Sequence, residues 1–353
     1  MADLFDPVRL GDIDLANRIV MAPMTRSRAG LGDVPTDLAV DYYRQRASAG
    51  LIVTEGTQPS PAGKGYCRTP GIHSQAQIDG WRRVTDTVHT EGGKIVLQLM
   101  HCGRISAQHN KDPGAATVAP SAICAQGQMF TDAAGMVDFD EPRALETAEI
   151  PGIVDEFRQA AVNAIAAGFD GVELHAASGY LPMQFLSTRT NLRTDRYGGP
   201  VENRIRFTVE TLDAMNRAIG PGRVAVRICP GNPFNDIQDD DPAETYSALL
   251  RAIDPMGLAY LHLVWLRLPE LDSLALVEGN FRGAVMLNES LTLETGREFV
   301  ASGRAAAVSF GRFFIANPDL VRRFREGAEL ARFDRKTLYT AGAEGYIDYP
   351  ALG

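Results

Sequence analysis

Short apolar runs in this 353-residue chain end, repeatedly, on residues that do chemistry. Thr25 follows the run Arg18–Met24, Gly56 follows Leu51–Val53, and Gln98 closes Ile95–Leu97. His175 ends Gly171–Leu174, Arg227 follows Val224–Val226, and Gly311-Arg312 comes shortly after Ala306–Val308. A hydroxyl, an amide, one imidazole and two guanidiniums are a poor kit for hydrolysis. The acids in these stretches are Glu55 and Glu173, and paired carboxylates are what general acid–base hydrolysis would need. A metal site resting on one histidine would be thin. Only His175 of the set titrates near neutrality. The set suits a polar, planar, anionic ligand, met by an amide that both donates and accepts and by fixed positive charge.

These residues need elements that bring them together. A helical stretch closing at glycine and followed within a few residues by an apolar strand recurs along the chain, at Gly50, Gly92-Gly93, Gly168, Gly220, Gly257 and Gly303. Glycine ends helices because it enters the left-handed region cheaply, and continuous apolar strands suit a parallel sheet buried on both faces. With Arg18–Met24 and Gly283–Leu287 the strands number eight, and Val154, Phe157, Ala161, Ile165 show the helical period between them. The fold class expected is α/β, a (β/α)₈ TIM barrel whose active site lies at the carboxyl ends of the strands. No GxGxxG follows the first strand, against a dinucleotide-binding doubly wound sheet. Such a barrel takes roughly 250 residues, so the surplus falls in inserts. The longest is 106–147, read as a lid-like capping insert after the third strand. Asn232–Asp241 and Arg267–Arg282 read as two more. No linker divides residues 1–353, so a single domain is expected.

Composition narrows the class. A net charge of −9 argues against a nucleic-acid partner, since phosphate backbones are held mainly by lysine and arginine. Cys67, Cys102, Cys124 and Cys229 form no CxxC pair, so neither a zinc cluster nor a disulfide framework is expected, and a reducing cytoplasm fits. No basic-then-apolar leader opens the chain, and no run approaches the roughly 20 apolar residues of a membrane helix.

The chain resembles the Old Yellow Enzyme family of flavin-dependent ene-reductases along almost its full length. The matching segments are Ala22-Pro23-Met24-Thr25-Arg26, Gln98-Leu99-Met100-His101-Cys102-Gly103-Arg104, Glu173-Leu174-His175 through Gly179-Tyr180-Leu181, Arg193-Thr194-Asp195-Arg196-Tyr197-Gly198-Gly199, Phe310-Gly311-Arg312 with Ala316-Asn317-Pro318-Asp319, and Gly345-Tyr346-Ile347-Asp348-Tyr349-Pro350. The resemblance implies FMN at the barrel mouth, reduced by NAD(P)H, and a hydride passed to an α,β-unsaturated carbonyl substrate. It implies cofactor contacts from Pro23, Met24, Thr25, Gly56, Gln98 and Arg227, with Gly311 and Arg312 on the phosphate. His175 would bind the substrate carbonyl, Tyr180 would donate the proton, and Ser178, Tyr66 and Tyr339 would line the substrate pocket. The partner expected is that small molecule, with a homodimer left open.

Three departures bear on this reading. Ser178 stands where the family usually has histidine or asparagine, and Met100 where tryptophan is frequent. The glycine-rich phosphate loop after the seventh strand is replaced by Asn288-Glu289-Ser290, which removes close backbone approach and sets a carboxylate near a phosphate. These keep two alternatives in view: a flavin-dependent isomerase or desaturase, and a degenerate barrel that binds without turnover. Among other residues, His101 reads as structural. Arg196 and Arg204 read as ion-paired with Asp195 and Glu202 in a surface loop, and Asp239–Asp241 as a solvated loop or helix start.

Overall fold

Eight of the apolar runs pair edge to edge and close on themselves. In the computed structural model, which describes residues 1–353, the strands are β1 (Ile19–Met21), β2 (Leu51–Val53), β3 (Ile95–Leu99), β4 (Gly171–Ala176), β5 (Val224–Ile228), β6 (Leu261–Val264), β7 (Val285–Asn288) and β8 (Ala307–Phe310). Each pairs in parallel with the next, and β8 returns to β1 to close the barrel. The fold is the (β/α)₈ barrel read from the sequence. Outer helices follow the strands in order: α1 (Asp37–Arg44), α2 (Gln75–Thr90), α3 (Ile150–Ala166), α4 (Arg206–Ile219), α5 (Pro242–Ile253), α6 (Ser273–Asn280), α7 (Leu293–Ala301) and α8 (Leu320–Glu326). Local chemistry starts several of them. Ser74 and Gln77 form a reciprocal capping box on α2, and Asp241 accepts from the Glu244 N–H at the head of α5. Of the acidic run, Asp241 is the helix start, while Asp239 and Asp240 hold Thr188 and Arg189.

Register places the polar strand residues side by side. Gln98 pairs with Glu173, His175 with Arg227, and Arg227 with His262. Below them the barrel is filled by Val20, Val53, Val96, Ala225, Tyr260 and Met286, and the N-terminal hairpin Val8–Leu10/Ile13–Leu15 plugs the amino end. The plug seats tightly: a Cβ on Gly11, whose φ is +57°, would lie 2.3 Å from the Gly222 carbonyl oxygen.

Residues 106–147 hold a hairpin, Gln128–Thr131 against Gly135–Asp138, and a second pairing of Val118–Ala119 with Arg143–Ala144. Asn110 ties the insert down by donating to the Gly65 and Phe130 carbonyls. Ala125 and Met129 pack in one cluster with Met100 and Tyr180. No helix is long and apolar enough to cross a membrane.

Two expectations need correction. Arg267–Arg282 is not simply an insert: it contains barrel helix α6 after a two-residue hairpin, Arg267–Leu268 with Leu271–Asp272. Its amphipathic signal is absent because its apolar residues, Leu274 to Val277, run consecutively around the helix instead of recurring on one face. Arg204 forms no ion pair. It is buried and donates to the Leu186 and Gly199 carbonyls and to Thr245 Oγ1. Arg196 stacks on Tyr197 and donates to its hydroxyl, while the partner of Asp195 is Arg193. Burial decides this: a guanidinium inside a turn answers several carbonyls at once.

Buried arginines also clamp the C-terminal segment to the barrel. Arg26 donates to the Leu338 and Gly345 carbonyls, and Arg28 to those of Thr337, Leu338 and Glu344. Arg46, fully buried, lies 3.8 Å from the Tyr42 ring centroid and donates to the Tyr42, Phe314 and Ile315 carbonyls. Arg46→Met keeps the stem and strands three buried acceptors. Orphaned buried acceptors cost roughly 1–3 kcal/mol each before relaxation, so a net loss of about 3 kcal/mol is expected, read as a lower urea midpoint. An unchanged midpoint would contradict a structural role for Arg46 in tying α1 to the segment after β8.

Candidate active site

The floor of the mouth is one buried chain of hydrogen bonds. Gln98 Nε2 donates to Glu173 Oε1 at 2.8 Å. His262 Nδ1 and Glu173 Oε2 are 2.8 Å apart, and His262 Nε2 and Ser309 Oγ are 2.8 Å apart. All four residues are at most 2% exposed. Burial alone would push the Glu173 carboxyl upward, but His262, Arg227 and Gln98 outweigh it and hold its pKa below the ordinary value. Burial lowers that of His262 despite the carboxylate beside it. The pair is therefore held as one coupled unit, with the Nδ1 edge of the imidazole on the carboxylate and its Nε2 edge on Ser309. Because Gln98 points its amide nitrogen at Glu173, its carbonyl oxygen remains for the mouth.

Arg227, on β5 between the strands that carry Glu173 and His262, donates from Nη2 to Asn288 Oδ1 at 2.6 Å, and Asn288 in turn donates to the Ser309 carbonyl. Its Nε is buried without a partner. A buried, unsatisfied guanidinium N–H costs free energy unless a ligand answers it.

Above the floor stand His175, Tyr180 and Tyr66. The His175 and Tyr180 rings lie edge to face at 4.8 Å, and the two tyrosine hydroxyls are 3.0 Å apart. Burial, and then Arg227, bring the His175 pKa down to about 3. Burial also lifts both tyrosine hydroxyls above their ordinary range. At neutral pH all three are uncharged donors, and His175 Nδ1 is buried with no protein partner. Ser178 has a left-handed φ of 57°, with its N–H on Cys229 Sγ at 3.0 Å. Its carbonyl accepts from Asn235 Nδ2 at 2.8 Å.

The remaining expected residues ring this centre at different depths. Pro23, Met24 and Thr25 follow β1 and are half-buried. Gly56 leaves room for Met100, whose Sδ would lie 2.5 Å from an added Cβ, whereas a Cβ on Gly311 would meet Met24 Sδ at 3.4 Å, an ordinary contact. Tyr339 is not enclosed: it is 59% exposed on the clamped C-terminal segment, with its carbonyl held by Arg68. His101 is fully buried, and its Nδ1 accepts from the Gly103 N–H.

Sequence reasoning missed three residues. His262 was overlooked because one polar residue interrupts an apolar run, so the sixth strand read as ending at Leu261 when it continues to Val264. Asn235 sits in an irregular loop at φ 64°, and its only signal was an asparagine in a turn-rich stretch. Asn288 read as part of a damaged loop rather than as the partner of Arg227.

After β7, Glu289 and Ser290 adopt φ values of 82° and 54°, the left-handed region that favours glycine. The Glu289 carboxylate does not turn to water: Arg312 Nη2 donates to it at 2.9 Å. The donor set fits the ring end of a flavin, since Gln98 offers an acceptor and Arg227 a free donor. The phosphate end is different, because the cation expected there already has an anion.

The chain is similar to known proteins over its full length. The pattern of the NADH:flavin oxidoreductase / NADH oxidase family matches residues 3–331. The chain is 42% identical to 12-oxophytodienoate reductase 7 of Oryza sativa subsp. japonica, covering 100% of this chain and 95% of that protein. It superposes on morphinone reductase in complex with tetrahydroNAD with a TM-score of 0.95 at 46% identity, covering 100% and 98% of the two chains. On the Old Yellow Enzyme homologue from Zymomonas mobilis the TM-score is 0.96 at 40% identity, covering 99% and 100%. The chain belongs to the NADH:flavin oxidoreductase / NADH oxidase family, as an FMN-dependent, NAD(P)H-consuming oxidoreductase of the Old Yellow Enzyme type.

Proposed function

We propose that this chain reduces the C=C bond of α,β-unsaturated carbonyl compounds, with Tyr180 as the proton donor. The observation that carries this reading is the group His175, Tyr180 and Tyr66: three neutral donors held together over a floor that offers a cationic donor and an amide acceptor. The names of two relatives, a 12-oxophytodienoate reductase and a morphinone reductase, point to ketone-bearing substrates and to reduction.

FMN, when bound and reduced by NAD(P)H, supplies the hydride. Gln98 and Arg227 would hold its pyrimidine edge, Arg227 adding the positive charge that favours the anionic reduced ring. Pro23, Met24, Thr25 and Gly56 would pack along it, and Gly311 and Arg312 would stand at the phosphate. His175, kept neutral by burial, donates one hydrogen bond to the substrate carbonyl oxygen, drawing electron density from the β-carbon. Tyr180 then delivers its hydroxyl proton to the α-carbon. Tyr66, hydrogen-bonded to Tyr180, is placed to stabilise the phenolate left behind. Ser178 and Tyr339 complete the pocket, one beside His175 and the other at its rim. Residues 106–147 cap the pocket through Ala125 and Met129 and keep water from it.

The direct test is spectroscopic. The FMN-loaded protein should show a flavin band that NAD(P)H bleaches without oxygen and that an enone restores. A flat visible spectrum after reconstitution with FMN would sink the reading. Tyr180→Phe should slow enone reduction by about 10²-fold or more, the usual contribution of a positioned general acid, and leave reduction by NAD(P)H intact; equal slowing of both half-reactions would remove Tyr180 from this role. Ser178→Asn adds a second carbonyl donor at a backbone conformation asparagine tolerates, so phenol binding should tighten, and unaltered affinity would count against it. The sign of the pH dependence follows from burial. A histidine lowered to about 3 stays neutral through its usual range, and a raised tyrosine stays protonated. The kcat/KM profile for the enone should therefore carry no limb near 6.5 from His175, the reference value for histidine.

A further inference from the structure

In barrels of this architecture the loops after the seventh and eighth strands commonly bind phosphate. Here those loops are Asn288–Ser290 and Gly311-Arg312. Three observations meet there. Glu289 and Ser290 hold left-handed backbone at φ 82° and 54°, so the loop keeps a shape suited to glycine while carrying two side chains. None of the backbone hydrogen bonds made outside regular elements uses the N–H of Glu289 or Ser290. The Glu289 carboxylate lies on Arg312, Nη2 to Oε1 at 2.9 Å, and close enough to Arg227 for that guanidinium to feel its charge.

The charge balance follows. Arg312 already faces Glu289, one cation against one carboxylate, before any ligand arrives. A phosphate dianion would enter an arm already neutral. It would have to displace Glu289 from Arg312 and then lie beside the carboxylate it displaced. A glycine at the same φ would bring neither the competing anion nor the side chain.

We propose that Glu289 is a resident anion in the phosphate arm of the flavin site and makes this chain weakly selective for FMN over riboflavin, the same flavin without its phosphate. The proposal rests on the flavin reading above. Glu289 is a specificity residue acting through Arg312, and it leaves the ring end, with Gln98 and Arg227, to carry most of the affinity. The chain then tolerates a phosphate-free flavin that an unopposed arginine would disfavour.

The experiment uses full-length protein stripped of flavin and titrated with FMN and with riboflavin, binding being read from quenching of flavin fluorescence. The deciding quantity is the ratio of the two affinities. Glu289→Gln removes the charge and keeps the backbone, and Glu289→Gly removes both charge and side chain. The ratio is expected to shift toward FMN by tenfold or more in at least one of them, with riboflavin affinity unchanged within threefold. A shift below tenfold in both, or riboflavin tightening alongside FMN, overturns the role of Glu289 while flavin binding stands. Binding of neither flavin by any of the three proteins overturns the flavin reading, and this proposal with it.

Discussion

A carboxylate buried inside a barrel is expensive, and the mouth of this one is organised around the charge of Glu173. Desolvation works against it, so it survives only because every side is answered: Gln98 and His262 donate to its two oxygens, and Arg227 supplies the opposing charge from the neighbouring strand. Those partners come from β3, β6 and β5, with β4 bearing the acid. Parallel register sets their levels, placing Glu173 beside Gln98 and Arg227 beside His262. The chain continues to Ser309 on β8 and, through Asn288, to β7. Most of the strands around the mouth are thus tied to one side chain. A polar network this deep is costly when incomplete and rigid when complete.

The same network sets the chemistry offered above it. Gln98 cannot turn its amide freely, because its nitrogen is committed downward to Glu173. Arg227 keeps its Nη2 on Asn288 and presents an unanswered Nε. The floor therefore displays one acceptor and one cationic donor in fixed positions, the complement of a ring edge with a donor and a region of developing negative charge. Above it, burial and the Arg227 charge keep His175 neutral, while burial keeps Tyr180 protonated. Cation below and neutral acids above are consequences of one dielectric environment, since low polarity strengthens the floor's field and suppresses ionisation at the wall.

Opposite forces meet at the rim. The C-terminal segment carrying Tyr339 is seated by Tyr346, buried and stacked on Tyr42, and by Arg26 and Arg28, whose guanidiniums answer its carbonyls. The loop after β7 holds non-glycine residues in a left-handed shape, which costs roughly 1–3 kcal/mol per residue unless neighbours compensate. The Arg312–Glu289 pair is one such compensation, weak because both groups are partly solvated.

Much of this protein was legible in its sequence, and for definite reasons. Eight apolar runs with helical stretches between them can bury both faces of a parallel sheet only by alternation, so the barrel and the residues at its strand ends follow from pattern alone. The groups His175-Ala-Ala-Ser178-Gly-Tyr180 and Phe310-Gly311-Arg312 were readable because local spacing carries them. Partnership across strands was not. That Glu173 must face His262, that Asn288 serves Arg227, and that Arg204 turns inward to carbonyls rather than outward to acids are facts of register and burial, which join residues far apart in the chain. The eventual seat of Glu289 was equally invisible. Its charge was plain from the sequence, but only the closing of β7 against β8 put it on Arg312, because a carboxylate takes the nearest cation the fold brings within reach.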